Sequence, residues 1–370
     1  MTAPELQEAP TGAVGARRVC IAGAGFARRY ARAFHEATAS EIAGVCTRTA
    51  DSAARVVTET GGLSYTDFEA MLATEKPDVV VVATPNRLHH PMTMRALDAG
   101  AEVICEKPLA LDGTQAREMA ARAATLGRRA ATSFTWRFLP ACASLRSLLA
   151  EKRLGAIYQV DVRYHTRGFG AVHGPMRWQY RRSDAGSGAL ANLGSHAIDL
   201  VHWWFGPVER VTALTRTVIG ERSGPEGAEP VSVEDVAAAV LRLGDGVPVS
   251  LSVGWVSHLT RVGLEVDVHG SEGSAWLRYA TDGQPTGTLE LAGEADARPV
   301  AVELHAAARA WSDLGQACVD GLVAAFLADG TVPGFDDGLR AQCVLDAILE
   351  AATSARWVDV SYPEEAGWAA

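Results

Sequence analysis

The 370-residue sequence has no Cys-x-x-Cys pair, no long apolar run and no excess of positive charge. Its six cysteines, at positions 20, 46, 105, 142, 318 and 343, form no close pair. The first three lie in apolar, strand-like runs, where a free thiol behaves as a small hydrophobe. A disulfide or cysteine–metal framework is therefore not expected, which fits a reducing cytoplasm. No segment is long and apolar enough to span a bilayer. The pair Arg17-Arg18 is followed by glycines and two further arginines, with no hydrophobic export segment and no cleavage site. A formal net charge of −10 leaves no broad basic surface for nucleic acid. Clusters such as Arg28-Arg29 and Arg181-Arg182 are short and scattered. These absences leave a cytoplasmic globular protein with small-molecule chemistry.

The length suits two domains, and 48% hydrophobic with 21% charged residues is a globular composition. Residues 1–16, rich in Ala, Pro, Gly and Thr, read as a flexible tail. From Arg18 strands and helices alternate: "RVCIAGAG" then a helix to about Ala37, "EIAGVCT" then Asp51 to Thr60. "DVVVVATP" then precedes a helix over Pro91 to Asp98, and "AEVIC" one over Gln115 to Leu126. Repeated βα units imply a doubly wound parallel Rossmann sheet, assigned to residues 17–133. A helix is expected over Pro140 to Leu149. Successive strands with apolar/polar alternation then predict an α+β domain over 134–370, with a large, mostly antiparallel, open-faced sheet. Helices around Ala306–Leu327 and Gly338–Thr353 close the chain, and "ERSGPEGAEP" is the expected mobile loop.

The chemistry-bearing residues cluster at predicted strand ends, where such sheets bind ligands. Gly23 and Gly25 in "GAGFAR" suit a tight turn that lets the backbone approach a pyrophosphate at a helix N-terminus. The second strand ends in Thr47 and Arg48, with no carboxylate to take a ribose diol. A hydroxyl and a guanidinium suit a 2′-phosphate better, so NADP is preferred over NAD. Thr84, Pro85, Asn86 and His89 end the apolar strand and could line a nicotinamide. At the next strand end stands Glu106-Lys107-Pro108. Burial beside a cationic ring lowers a lysine pKa and lets it exchange a proton with an alcohol near neutral pH. The plain alternative for this tripeptide is a surface turn. In "GALANLGSHAIDLVHWW", Asn192 and His196 share a helical face. His196, Asp199 and His202 have metal-compatible spacing, but the two later residues read better as surface or buried polar groups, and no metal is expected.

Taken together, "GAGFAR", "ATPNRLHH", "CEKPLALD", "WRF", "GALANLGSHAIDL" and "DDGLRAQCVLDAILEAATS" resemble the glucose–fructose oxidoreductase/inositol dehydrogenase/rhizopine-catabolism (Gfo/Idh/MocA) family over about residues 18 to 360. The resemblance implies an NAD(P)-dependent oxidoreductase acting on a secondary alcohol or ketone of a sugar, inositol or polyol. It makes Lys107 the acid/base and His196 the second proton-handling residue, with Asn192 beside them. It places Gly23, Gly25, Phe26, Ala27, Thr47, Arg48, Pro85, Asn86, His89, Glu106 and Arg137 at the cofactor, with Trp178 near cofactor and substrate. Tyr164, with His165, Arg167 and His173, is a candidate for the substrate side. A homodimer or homotetramer through the open sheet is implied. Three departures stand out: Arg28 replaces the third glycine, Gln179 follows Trp178 where arginine is expected, and Asn192 occupies a position at which many relatives carry aspartate. A redox-neutral, NAD-dependent glycosidase and a non-catalytic nucleotide or sugar sensor remain alternatives.

Overall fold

The computed structural model describes residues 15–167, 174–257, 263–280, 287–293, 300–301 and 311–363. The expected tail lies almost wholly outside these residues, as does His173.

The first domain is the expected βα series. It runs β1 (Arg17–Ala22), α1 (Ala27–Glu36), β2 (Ser40–Cys46), α2 (Ala50–Thr60), β3 (Leu63–Tyr65) and α3 (Phe68–Glu75). It continues with β4 (Val79–Val82), α4 (His89–Asp98), β5 (Glu102–Cys105), α5 (Gly113–Thr125) and β6 (Ala130–Thr132). The strands form one parallel sheet in the order β3-β2-β1-β4-β5-β6. All four valines of β4 are fully buried, as a central strand covered on both faces requires. The strand order reverses between β1 and β4, which opens a crevice at their C-terminal ends. The short β3, α3 and β6 escape a periodicity reading because three to eight residues carry little pattern.

The second domain starts with α6 (Pro140–Ala150), β7 (Ile157–His165), α7 (Arg182–Ala185) and α8 (Ser195–Phe205). Strands follow: β8 (Val208–Arg216), β9 (Glu221–Gly224), β10 (Gly227–Pro230), β11 (Val236–Leu243) and β12 (Pro248–Gly254). Then come β13 (Gly263–Gly270), β14 (Gly273–Ala280), β15 (Gly287–Gly293) and β16 (Val300–Ala301), and finally α9 (Trp311–Leu327), α10 (Phe335–Ser354) and β17 (Val358–Asp359). Nine strands make one sheet, β16-β15-β14-β13-β7-β12-β11-β8-β17, antiparallel except between β12 and β7. Alternation sends Val160, Val162 and Tyr164 of β7 into the core and leaves Asp161 and Arg163 on the open face.

Two expectations need correction. "ERSGPEGAEP" is not a mobile loop but the hairpin β9–β10, with Glu221 to Gly224 paired to Gly227 to Pro230. Its anchors are long-range: the Arg222 guanidinium lies 3.8 Å from the Tyr180 ring centre, and Arg181 pairs with Glu229. The closing helices also do not belong simply to the second domain. Val319, Leu322, Val323 and Phe326 of α9 pack with Val19, Ile21, Tyr30 and Phe34 of the first. Phe335 and Leu339 of α10 join the core on the other face of the first sheet. Helix α10 also begins earlier than expected, because the Asp337 carboxylate accepts the Gly334 N–H at 2.8 Å. The expected start of α9, at Ala306, lies outside the described residues.

Candidate active site

The crevice between the domains is a cleft of about 1070 Å³ lined by both. On the first-domain side the chain turns from β1 to α1 at Gly23, Ala24, Gly25 and Phe26. Gly23 has φ +126°, and a Cβ there would meet the Ala83 carbonyl oxygen at 2.1 Å. A Cβ at Gly25 would stand in open space, so there the glycine leaves room in the cleft. No side chain caps α1, so its first N–H groups stay available to an anion. Arg28, which replaces the third glycine, reaches outward to pair with Glu59 on α2. These residues fit a dinucleotide. Thr47 and Arg48 follow β2, where the Thr47 hydroxyl donates to the Thr49 carbonyl at 2.7 Å and Arg48 is exposed.

Lys107 follows β5 across the crevice, and its bond to Pro108 is cis. Its Nζ donates to two oxygens of Asn192, the main-chain O at 2.9 Å and Oδ1 at 3.1 Å. Burial pushes the Lys107 pKa below the usual ammonium value, and the Glu106 charge opposes that shift. Asn192 sits in a π-helical turn, Leu190–Gly194, that runs into α8, where His196 also faces the cleft. Such wide turns recur at functional sites. His196 is buried, its Nδ1 has no partner among the described residues, and it lies beside Trp136 at 5.6 Å between ring centres. Burial, then the Lys107 charge, lowers its pKa well below the usual value, so its ring is neutral.

Trp136, Tyr164, Trp178 and Trp255 wall the second-domain side, with Arg167 exposed beside them. Two adjacent carboxylates leading into β11 brace the π turn and one of these walls. Glu234 Oε1 accepts the N–H groups of Gly188 and Leu190 at 2.7 and 3.0 Å, fixing the start of the π turn. Asp235 takes Trp255 Nε1 on one oxygen, and the N–H groups of Val218 and Ile219 on the other.

The structure gathers Gly23, Gly25, Phe26, Thr84, Pro85, Asn86, Glu106, Lys107, Tyr164, Trp178, Asn192 and His196 around this cleft. Other expected residues stand apart from its lining. Ala27 packs inside α1. His89 is buried and bonds the Pro108 and Thr84 carbonyls at 2.8 and 3.0 Å, bracing the turns that line the cleft. Arg137 pairs with Asp199 and Asp337, tying the segment after β6 to α8 and α10. Asp199 is thus a buried ion-pair partner, and His202 bonds the Tyr362 hydroxyl at 3.1 Å. His165 bonds Ser252 at 3.0 Å. Sequence reasoning missed Tyr30, Ser133, Glu234 and Asp235, which carry no motif. Trp136, in the "WRF" stretch, joins the lining as well.

A glycine turn at the switch point of a parallel sheet, with a second domain closing on the same crevice, defines a two-domain dinucleotide-dependent oxidoreductase. Family comparisons agree. The description "Oxidoreductase family, NAD-binding Rossmann fold" matches residues 17–134, and "GFO/IDH/MocA C-terminal domain" matches 142–276. The chain belongs to the Gfo/Idh/MocA oxidoreductase family. It is 27% identical to levoglucosan dehydrogenase of Pseudarthrobacter phenanthrenivorans, over 80% of this chain and 83% of that one. It is 30% identical to 1,5-anhydro-D-fructose reductase of Ensifer adhaerens, over 73% and 78%. The solved complex of levoglucosan dehydrogenase with NADH and levoglucosan superposes with a TM-score of 0.84 at 25% identity, covering 93% and 99% of the two chains. No helix among the described residues is long and apolar enough to cross a membrane.

Proposed function

We propose that the protein oxidises a secondary alcohol of a sugar or related polyol, or reduces the corresponding ketone, with Lys107 as general acid/base. The observation that carries this reading is the double grip of Asn192 on Lys107 Nζ inside the dinucleotide cleft. An amine holding two acceptors has one tetrahedral position left. That position carries a hydrogen when the lysine is charged and a lone pair when it is neutral. Lys107 is thus oriented to take a hydroxyl proton in oxidation and to return it in reduction, and its lowered pKa favours the base form. A bound nicotinamide supplies hydride acceptance or donation at the same carbon. Neutral His196 offers a hydroxyl one donor or one acceptor, and the tryptophan faces suit the apolar faces of a sugar ring. Asn192 cannot accept a proton, so it orients rather than relays.

The sugar class is supported by the names of the relatives, which include a D-glucoside 3-dehydrogenase of Escherichia coli. NADP is preferred over NAD because β2 is followed by Thr47 and Arg48 without a carboxylate. Leu214, Ala238 and Val240 share the open face of the second sheet, and Leu214 is 73% exposed. This supports self-association through that face, cytoplasmic location being the accompanying expectation. Leu214→Glu, sized by light scattering, should yield monomers.

The test is absorbance of the reduced nicotinamide while NADP⁺ or NAD⁺ is offered with levoglucosan, aldoses, inositols and sugar phosphates. A rise that Lys107→Ala removes while nucleotide binding persists supports the proposal. Undiminished turnover in that variant refutes the lysine's role. Tight cofactor retention with no net nucleotide change would instead indicate redox-neutral cleavage.

A further inference from the structure

Beside Lys107, where Glu106 and Ser133 also line the cleft, lies a hydroxyl cluster that the reaction as described does not use. Tyr30 on α1 is fully buried, and its hydroxyl donates to Glu106 Oε1 at 2.9 Å. Ser133, just past β6, donates to the same oxygen at 2.7 Å. The two hydroxyls also touch each other, so whichever donates between them, one hydrogen remains on the carboxylate. The other carboxylate oxygen accepts the Lys107 main-chain N–H at 3.2 Å. Three chain segments thus converge on one buried acid next to the lysine.

We propose that Tyr30 and Ser133 are positioning residues that hold Glu106 as a carboxylate beside Lys107, and so govern where the lysine proton rests. The proposal depends on the reading of Lys107 as the acid/base. Its logic follows from the charges present. The titratable groups facing this pair are Tyr30 from α1, Cys105 from β5, His89 from α4 and His196 from α8. Burial keeps the phenol and the thiol protonated and lowers the pKa of both imidazoles, the His89 ring against the pull of its carbonyl partners. Asn192, which grips the ammonium, carries no charge. Glu106 is therefore the one negative charge among these groups that supports a cationic Lys107. Burial raises the Glu106 pKa, while Lys107, then Ser133 and Tyr30, pull it down. Without the hydroxyls the acid takes a proton more readily, and the lysine loses the charge that stabilises its cation.

The sequence contains three lysines, and the other two, Lys76 and Lys152, are exposed. Lysine labelled with ¹³C at Cε therefore gives a spectrum in which Lys107→Arg identifies the active-site resonance. In the full-length enzyme its titration midpoint should fall by about one pH unit in the double variant Tyr30→Phe/Ser133→Ala, which leaves neither hydroxyl on the carboxylate, the scale of one hydrogen bond to a charged group. Glu106→Gln should lower it further, and the double hydroxyl change should not move it again in that background. An unmoved or raised midpoint in the double variant would overturn the proposal, as would an equal shift without Glu106. If the double variant does not fold, Glu106→Gln alone decides, an unmoved midpoint there refuting the charge the proposal rests on. The readout needs no substrate, so it stands apart from the turnover test of Lys107→Ala, which judges the acid/base reading itself.

Discussion

Asn192→Asp tests whether an orienting amide is sufficient for the proton transfer. A carboxylate oxygen in place of Oδ1 would stand near 3.1 Å from Lys107 Nζ. At an effective dielectric of about 20, unit charges at that separation attract by about 5 kcal/mol. Half-burying the new carboxylate offsets part of this, and opposite charges this close shift a pKa by about 1–3 units. The direction is upward for the lysine, since the carboxylate favours its cation. Oxidation needs the neutral amine, so the acid limb of its pH–rate profile should move about 1–3 units toward alkaline pH. Reduction uses the ammonium and should persist to correspondingly higher pH. The assay is kcat against pH in both directions, with the alkaline plateau of oxidation staying within about tenfold. A limb that stays put while the plateau rises by more than tenfold would refute the reasoning. It would show that the native enzyme lacks a relay that aspartate restores.

The two turn glycines should separate fold from binding. Gly23→Ala forces a side chain into φ +126° and against the Ala83 carbonyl. Its unfolding free energy should drop by at least about 1–3 kcal/mol, the usual cost of such backbone strain, as read by denaturant titration. Gly25→Ala meets no protein atom, so melting should hardly change while dinucleotide affinity falls in calorimetry. Arg48→Ala should weaken NADP⁺ by about tenfold and leave NAD⁺ within about twofold; equal losses would exclude a 2′-phosphate role. Burial raises the Asp199 pKa to about 7 against the pull of Arg137, above the unfolded value of about 3.9. A carboxyl raised in this way contributes stability that is complete below about pH 4 and lost as pH climbs to about 7. The stability difference between wild type and Asp199→Asn should shrink over that window, and a difference that widens with pH would refute the assignment.

How much could be read in advance depended on whether a residue's role is local. Val79–Val82 announces a central strand because burial on both faces leaves no polar position. Glu106-Lys107-Pro108 could be placed because it ends such a strand. Tyr30 could not: within "ARRYARAF" it is one more apolar position of α1, and its carboxylate partner is 76 residues away. Glu234 and Asp235 look like a turn before a strand until the π turn and Trp255 fold onto them. Nothing near Arg137 announces the carboxylates that pair with it, 62 and 200 residues further on. The hairpin of β9 and β10 reads as loose chain because its glycines and proline are local, whereas Tyr180 and Arg181, which anchor it, are not.

The Glu234-Asp235 clip has a consequence for how this enzyme can change. Lys107 and Glu106 hang from the first sheet, whereas Glu234 fixes the π turn that carries Asn192 and Asp235 fixes Trp255. Side chains elsewhere on the second-domain side of the cleft can vary in size and polarity while both of these holds persist. Substitutions at Tyr164, Arg167, Trp178 and Gln179 therefore leave the dipeptide's contacts intact. Changing Glu234 would loosen the turn that grips Lys107, and changing Asp235 would free Trp255. That dipeptide couples the lysine's grip to an aromatic wall, and it is the point a laboratory evolution campaign should leave untouched.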